Sequence, residues 1–429
     1  MFKLLLILFF SFIFLTVQAQ QWKVWNSSNS NIPTNNLINL YIDSSGIIWI
    51  GSGDFGLIRF DGINFSSYNS GNSPMKSNLV KSMSVDKFEN LWLCAFRQGS
   101  GNEGALMKFD RKNNWSYYNS QNSGIENGNQ FSVNIDTNNI VWCIYNSLSK
   151  FDGTNWFVYD SKNSPLRPST ASEIYVDKQN NKWIGLDFYG LYKLANDNTW
   201  TLFSPNNSGI GGTIIRKIRE DNTGNYWINI SYSGLCKYNA SSNSWQNWTP
   251  QNSNLISAHP LGLFIDKRNI KWIGFNSTET GLAEFADTQF VYSNPPVIGN
   301  GTNIYDIKED KLGNLWIATA SGLLEFNKNG IVGINNSYVI VPTAFELSQN
   351  YPNPFNPSTT IIFQIPKNNF VNLKIFDING KEISQLVNET LNAGEYKINF
   401  DGSEFPSGVY YYKLAGDNFS EVKKMVLVK

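Results

Sequence analysis

YIDSSGIIWIG occupies residues 41–51, and its pattern returns along the chain. FIDKRNIKWIG stands at 264–274 and IKEDKLGNLWIA at 307–318. In each, an Asp precedes a Trp by six residues, with apolar residues on either side. The Trp residues are Trp49, Trp92, Trp142, Trp183, Trp227, Trp272 and Trp316, between 41 and 50 residues apart. The matching acids are Asp43, Asp86, Asp136, Asp177, Asp221, Asp266 and Asp310. A period of this length is the mark of a repeat architecture.

Each unit reads as four short strands. The first ends at the Asp, as in LINLYID. A tight turn follows, with Gly or Asn three residues after the Asp in every copy but the second, where Glu89 stands. Gly and Asn tolerate the left-handed backbone that such a turn demands. The second strand carries the Trp, and a Gly-Leu usually opens the third. The fourth has aromatic residues three apart, as at Phe65 and Tyr68 or Trp245 and Trp248. Four antiparallel strands repeating at this interval predict an all-β fold, a seven-bladed β-propeller over residues 20–335. The Trp is expected to pack between blades.

The ends of the array predict its closure. The seventh copy lacks a fourth strand, whereas QWKVWNSSNSN near the N-terminus has Trp22 and Trp25 three apart and no strands before it. Residues 21–26 are therefore expected to complete the seventh blade, which also removes an exposed edge.

Before this strand, residues 1–19 read as a signal peptide: Lys3, an apolar stretch from Leu4 to Leu15, then Val17-Gln18-Ala19 with cleavage after Ala19. The apolar run is too short for an ordinary spanning helix, and no later stretch is long and apolar enough to be one. A mature form without a transmembrane segment, secreted or at the outer-membrane cell surface, is expected.

Beyond Ser337 the periodicity stops. Residues 336–344 read as a linker, and 345–429 as a small immunoglobulin-like β-sandwich of alternating strands with an Asn-Gly hairpin in IFDINGKEI. All 14 Trp lie before this boundary, which supports a change of domain.

The pattern in EDKLGNLWIATASGLLEF (309–326) resembles the two-component regulator propeller repeat, found in the sensory domains of hybrid histidine kinases and in free-standing exported proteins. The third copy, with VWCIYNSLSKF, departs from it, and the chain shows no kinase. YPNPFNPSTTI, the IFDINGK strand, SGVYYYKL and the final KMVLVK closely resemble the C-terminal sorting domain of type IX secretion cargo. That resemblance implies a translocon partner for residues 345–429, with the domain removed and the remainder released or anchored.

Composition excludes several functions. Lys+Arg and Asp+Glu are both 34, so no nucleic-acid surface is expected. Cys94, Cys143 and Cys236 lack metal-ligand spacing, and His259 is the sole His. No metal or cofactor is expected, and no catalytic motif appears. DNTGNYW (221–227) is similar to the Asp box of sialidase propellers, but its Asp-to-Trp offset is one residue longer.

Function is expected where the copies disagree. The second copy inserts RQGSGNEG (97–104), with Arg97 and Glu103. The entrances of the first strands vary: Lys81, Glu173, Arg216, Lys217, His259, Tyr305 and Asp306. An Asn-Ser pair in the loops between blades, as at 72–73 and 252–253, reads as a structural turn, though a ring of amides and hydroxyls would suit glycans. The primary expectation is a non-catalytic propeller binding carbohydrate, peptide or protein. The alternatives are a polysaccharide lyase or hydrolase, for which Arg216, Tyr305 and His259 are the only suggestive set, and a ligand-sensing propeller related to hybrid two-component sensors.

Overall fold

A computed structural model describes residues 21–96, 104–125, 130–167, 171–276, 281–293, 302–328, 345–366, 369–391, 394–417 and 419–429. The predicted signal peptide, the linker, and Arg97 and Glu103 of the inserted loop lie outside the described residues. The chain forms two compact units, and both are all-β.

Seven four-stranded antiparallel sheets lie in the first unit among the described residues. Their inner strands are Leu37–Ile42, Leu79–Val85, Ser132–Ile135, Ala171–Val176, Ile215–Glu220, Pro260–Ile265 and Ile304–Glu309. Each inner strand lies beside the next, and the last lies beside the first, so the sheets form a closed ring of blades. In six sheets the strands follow chain order. In the seventh, Trp22–Trp25 pairs with Gly322–Phe326 as the outermost strand. The Asn327 amide donates to the Gln21 carbonyl (2.9 Å), and the Trp22 ring lies 4.2 Å from that of Phe326. The closure expected from the unpaired ends is the one formed.

The six-residue interval has a direct cause. In every blade the Trp indole Nε1 donates to Oδ2 of its Asp, at 2.8–3.1 Å. The other oxygen, Oδ1, accepts the amides two and four residues on, as at Thr223 and Asn225 for Asp221, each 2.9 Å. One carboxylate thus holds the turn and orients the ring. The residue three after the Asp is left-handed in all seven copies, including Glu89 (φ 66°), where a non-Gly side chain is disfavoured.

Each Trp is at most 3% exposed and packs into the apolar cluster of the following blade, as Trp227 does against Leu263, Ile273 and Phe285. Across the sheet it faces a cation in five blades: Arg59, Lys108, Lys150, Lys193 and Lys237. The ammonium groups of the last four lie 5.3–5.6 Å from the Trp ring. In the sixth and seventh blades the same place holds Glu284 and Glu325.

The Asn-Ser pairs between blades are turn devices. Asn72 Oδ1 accepts the Asn69 amide and its Nδ2 donates to the Ser67 carbonyl, while Ser73 Oγ donates to the Asn69 carbonyl. Asn252 and Ser253 repeat this arrangement on Thr249 and Asn247. These side chains are bound to backbone.

The second unit packs a three-stranded sheet, Glu346–Leu347, Ser358–Ile365 and Gly394–Asp401, with a four-stranded sheet ordered Glu382–Leu391, Asn369–Phe376, Gly408–Gly416 and Phe419–Leu427. Ser358–Ile365 alternates half-buried and buried residues, as period two requires for a sandwich. Tyr412 is fully buried, and its hydroxyl donates to the Ser348 carbonyl and accepts the Asn350 amide, each at 2.8 Å. The Asn-Pro segment is fastened to the last strand by Phe355 N to Val426 O (2.9 Å) and Val428 N to Phe355 O (3.0 Å).

Candidate functional site

An inner strand is a sheet edge, and the N–H groups on its free side need acceptors from elsewhere. In four blades the residue four before the Asp supplies one. Ser82 Oγ accepts the amide of Val133 (3.2 Å), Ser132 Oγ that of Ile174 (3.1 Å), Glu173 Oε2 that of Ile218 (2.6 Å) and Asp306 Oδ2 that of Leu40 (3.0 Å). Each bond ties one blade to the next around the axis. Three blades depart from the rule: Asn39 instead donates its Nδ2 to the Val80 carbonyl (2.8 Å), Lys217 cannot accept, and Gly262 has no side chain. Asp306 meets the Gly262 case by also accepting its neighbour's amide at Ile307 (3.0 Å).

These inner strands enclose a cavity of about 590 Å³. Residues four and two before the Asp share a strand face, so they line it as two successive levels. The fourth, fifth and seventh blades provide Glu173, Lys217, Arg219, Asp306 and Lys308. The first three provide amides and hydroxyls, namely Asn39, Tyr41, Ser82, Ser84, Ser132 and Asn134, and the second adds Lys81 and, at its turn, Asp86, Lys87 and Glu89. Away from that turn most of the charge lies on one side of the cavity.

On the charged side, Arg219 Nη1 bonds Glu173 Oε1 at 2.8 Å, and Lys217 Nζ stands 3.4 Å from the same oxygen. Lys308 Nζ reaches both oxygens of Asp306, at 2.7 and 2.8 Å. Burial pushes the Asp306 carboxyl up, but Lys308, Lys217 and Arg219 outweigh it and hold the group below its ordinary range. Burial pulls Lys308 down, and Asp306 offsets only part of this. Lys81 has no carboxylate partner among the described residues. Its ammonium lies 5.9 and 5.6 Å from the rings of Phe96 and Phe131, and burial lowers its pKa.

Of the residues singled out in the sequence, Lys81, Glu173, Lys217 and Asp306 line this cavity. The others are engaged elsewhere. Arg216 donates to Ser231 Oγ (2.8 Å) and Asp187 Oδ1 (3.4 Å). The His259 ring packs edge-on to Tyr232, with centroids 4.6 Å apart, and the Tyr305 hydroxyl accepts from Asn303 Nδ2 (2.7 Å). Arg216, His259 and Tyr305 do not converge on the cavity. Arg219, Lys308, Tyr175 and Tyr41 were missed, although counting back by two from each repeat Asp would have found them.

Residues 349–429 match the model of the secretion system C-terminal sorting domain, and residues 298–321 that of the two component regulator propeller. No curated protein matches the chain. Among solved structures, the extracellular domain of the putative hybrid two component system BT3049 from B. thetaiotaomicron is similar at 15% identity and TM-score 0.58. The match covers 95% of this chain but only 57% of that one. YCF48 from Cyanidioschyzon merolae is similar at 16% identity and TM-score 0.53, over 72% of this chain and 99% of its own. YCF48 bound to D1 peptide gives 13% and 0.53, over 72% and 97%. At these identities the likeness establishes the β-propeller fold alone. The chain thus carries a two component regulator propeller repeat on a β-propeller and ends in a secretion system C-terminal sorting domain, the mark of type IX export to the cell surface or outer membrane.

Proposed function

We propose that this protein is a non-catalytic binding propeller, delivered to the surface by its sorting domain, whose axial cavity receives a polar ligand such as a glycan or the end of a peptide. Residues 1–19 act as the leader and residues 345–429 engage the type IX translocon. The observation that carries the reading is the employment of the cavity's two inner-strand carboxylates, while at its turn end Asp86 holds Trp92 and Glu89 pairs with Arg111. Glu173 and Asp306 each accept an edge amide of a neighbouring blade and are ion-paired as well. A general acid or base must be free to exchange its proton with a substrate, and these two are committed to holding the ring. The cavity's volume falls within the usual range for small-ligand sites. A propeller of similar fold has been seen with a bound peptide.

The test is a glycan and peptide array probed with the purified mature protein, beside assays for new reducing ends and unsaturated products. Binding that is lost in a Tyr175→Ala, Tyr41→Ala double variant, with no product released, is the expected result. Release of product from any arrayed polymer would turn the assignment to a lyase or hydrolase.

A further inference from the structure

The charge around the axis is uneven, and its placement is informative. Lys217 and Arg219 belong to the fifth blade and Lys308 to the seventh; between them the sixth has Gly262 four residues before its Asp and contributes no charged lining residue. These three cations share two carboxylates, Glu173 and Asp306. In a ring of seven, the sixth blade looks across the axis at the second and third, where Lys81 has no carboxylate partner among the described residues. The residues lining the cavity thus include five cations, Lys81, Lys87, Lys217, Arg219 and Lys308, against four carboxylates, Asp86, Glu89, Glu173 and Asp306, a surplus of one. At the turn end Glu89 is also neutralised from outside the lining by Arg111, whose Nη2 lies 2.6 Å from it. A surplus of one sign inside a low-dielectric cleft focuses its field on whatever enters.

The facing wall supplies a different chemistry. The hydroxyls of Tyr41 and Ser84 line the cavity and have no hydrogen-bond partner among the described residues. A half-open, net-positive site with hydroxyls opposite fits a ligand that is acidic at one end and rich in hydroxyls at the other. We propose that the axial cavity binds a sugar acid or sugar phosphate, its anionic group on Lys217, Arg219 and Lys308 and its hydroxyls toward Tyr41 and Ser84. This rests on the binding reading above and narrows its ligand to one chemical class. Lys217 is the best placed to turn to the ligand, because it lies 3.4 Å from Glu173 while Arg219 makes the shorter bond to the same oxygen.

Calorimetric titration of the mature protein with D-glucuronate, glucose 6-phosphate, D-glucose and inorganic phosphate tests it. The two acidic sugars distinguish a carboxylate from a phosphate ligand. At least one should bind about tenfold or more tighter than glucose and than bare phosphate, since charge-assisted bonds add to the hydroxyl contacts. That affinity should fall as salt is raised. Lys217→Gln should weaken it about tenfold, the loss of one charge-assisted contact, and Lys81→Gln, which acts only through the field of the cavity, by a smaller factor, while Lys311→Gln, outside the cavity, should not weaken it. Melting curves of each variant check that the ring is intact, and should either cavity variant unfold, the salt dependence of the native protein decides. Equal affinity for glucose and both acidic sugars, or indifference to the Lys substitutions, overturns the proposal. If no probe binds while the array finds a neutral ligand lost with Tyr41 and Tyr175, the anionic assignment falls and the binding reading stands. A blank array and blank titrations defeat both.

Discussion

Asp221 shows what the repeated carboxylate does. Burial would push its carboxyl up, but hydrogen bonds from Trp227, Asn225 and Thr223 outweigh this and hold it down at about 2. A carboxyl whose folded pKa is depressed stabilises the protein above its unfolded pKa, and that contribution is lost as pH falls through the folded value. The window is therefore about pH 5 to 2, and the contribution on the order of 2 kcal/mol. Asp221→Asn keeps the shape but weakens the acceptor. It should lower stability by about 1–2 kcal/mol at pH 7, with the difference from the native protein shrinking by pH 2, as followed by urea unfolding across the range. The spacing of Asp and Trp was plain in the sequence. The indole-to-carboxylate bond that explains it was not, because a one-dimensional interval carries no side-chain direction.

The closing sheet is where one element differs in kind from its siblings. Its third strand carries Glu325, fully buried, where five other blades place a cation, and neither carboxylate oxygen has a hydrogen-bond partner among the described residues. Burial raises its pKa to about 7, with Lys23 on the N-terminal strand opposing the shift. Here the sign is reversed. A carboxyl raised on folding favours the folded state while protonated, and stability is lost as pH rises from the unfolded value near 4.5 to about 7. Glu325→Gln removes the ionisation, so it should raise the melting temperature at pH 8 relative to the native protein and leave it nearly unchanged at pH 5. A constant difference across that range would contradict the argument. Deleting residues 20–31 tests the closing strand itself. Without it Gly322–Phe326 becomes an open edge and the cluster around Trp272 and Phe326 loses Trp22 and Val24. A fall in melting temperature of about 10 °C or more is expected; an unchanged melt would mean that the ring does not need its N-terminal strand.

At the scale of the whole molecule, the sandwich matches a sorting domain and the ring carries the cavity proposed to bind a ligand. Type IX export is carried by residues 349–429, so a chain ending at residue 336 should be made but fail to reach the surface, as read by protease shaving of intact cells. Efficient display of that shortened chain would sever the sorting domain from its role. The uneven charge of the cavity also belongs to this scale. Glu173, Lys217 and Asp306 come from three blades, as far as 133 residues apart in the chain, and only ring closure sets them around one axis.

The sequence by itself determined the repeat, the strand order within a blade, the closure from two unmatched ends, and the sandwich with its sorting motifs. All of these rest on local periodicity or on short-range turn chemistry, which a linear pattern records. Tertiary structure decided which first-strand residues share the cavity, and that Arg216, His259 and Tyr305 do not join it. It also decided that Glu173 and Asp306 serve their neighbours' amides. The physical reason is that inner-strand edges are satisfied across blades, by partners some forty residues or more away, so the role of each side chain depends on the blade beside it and not on its own repeat.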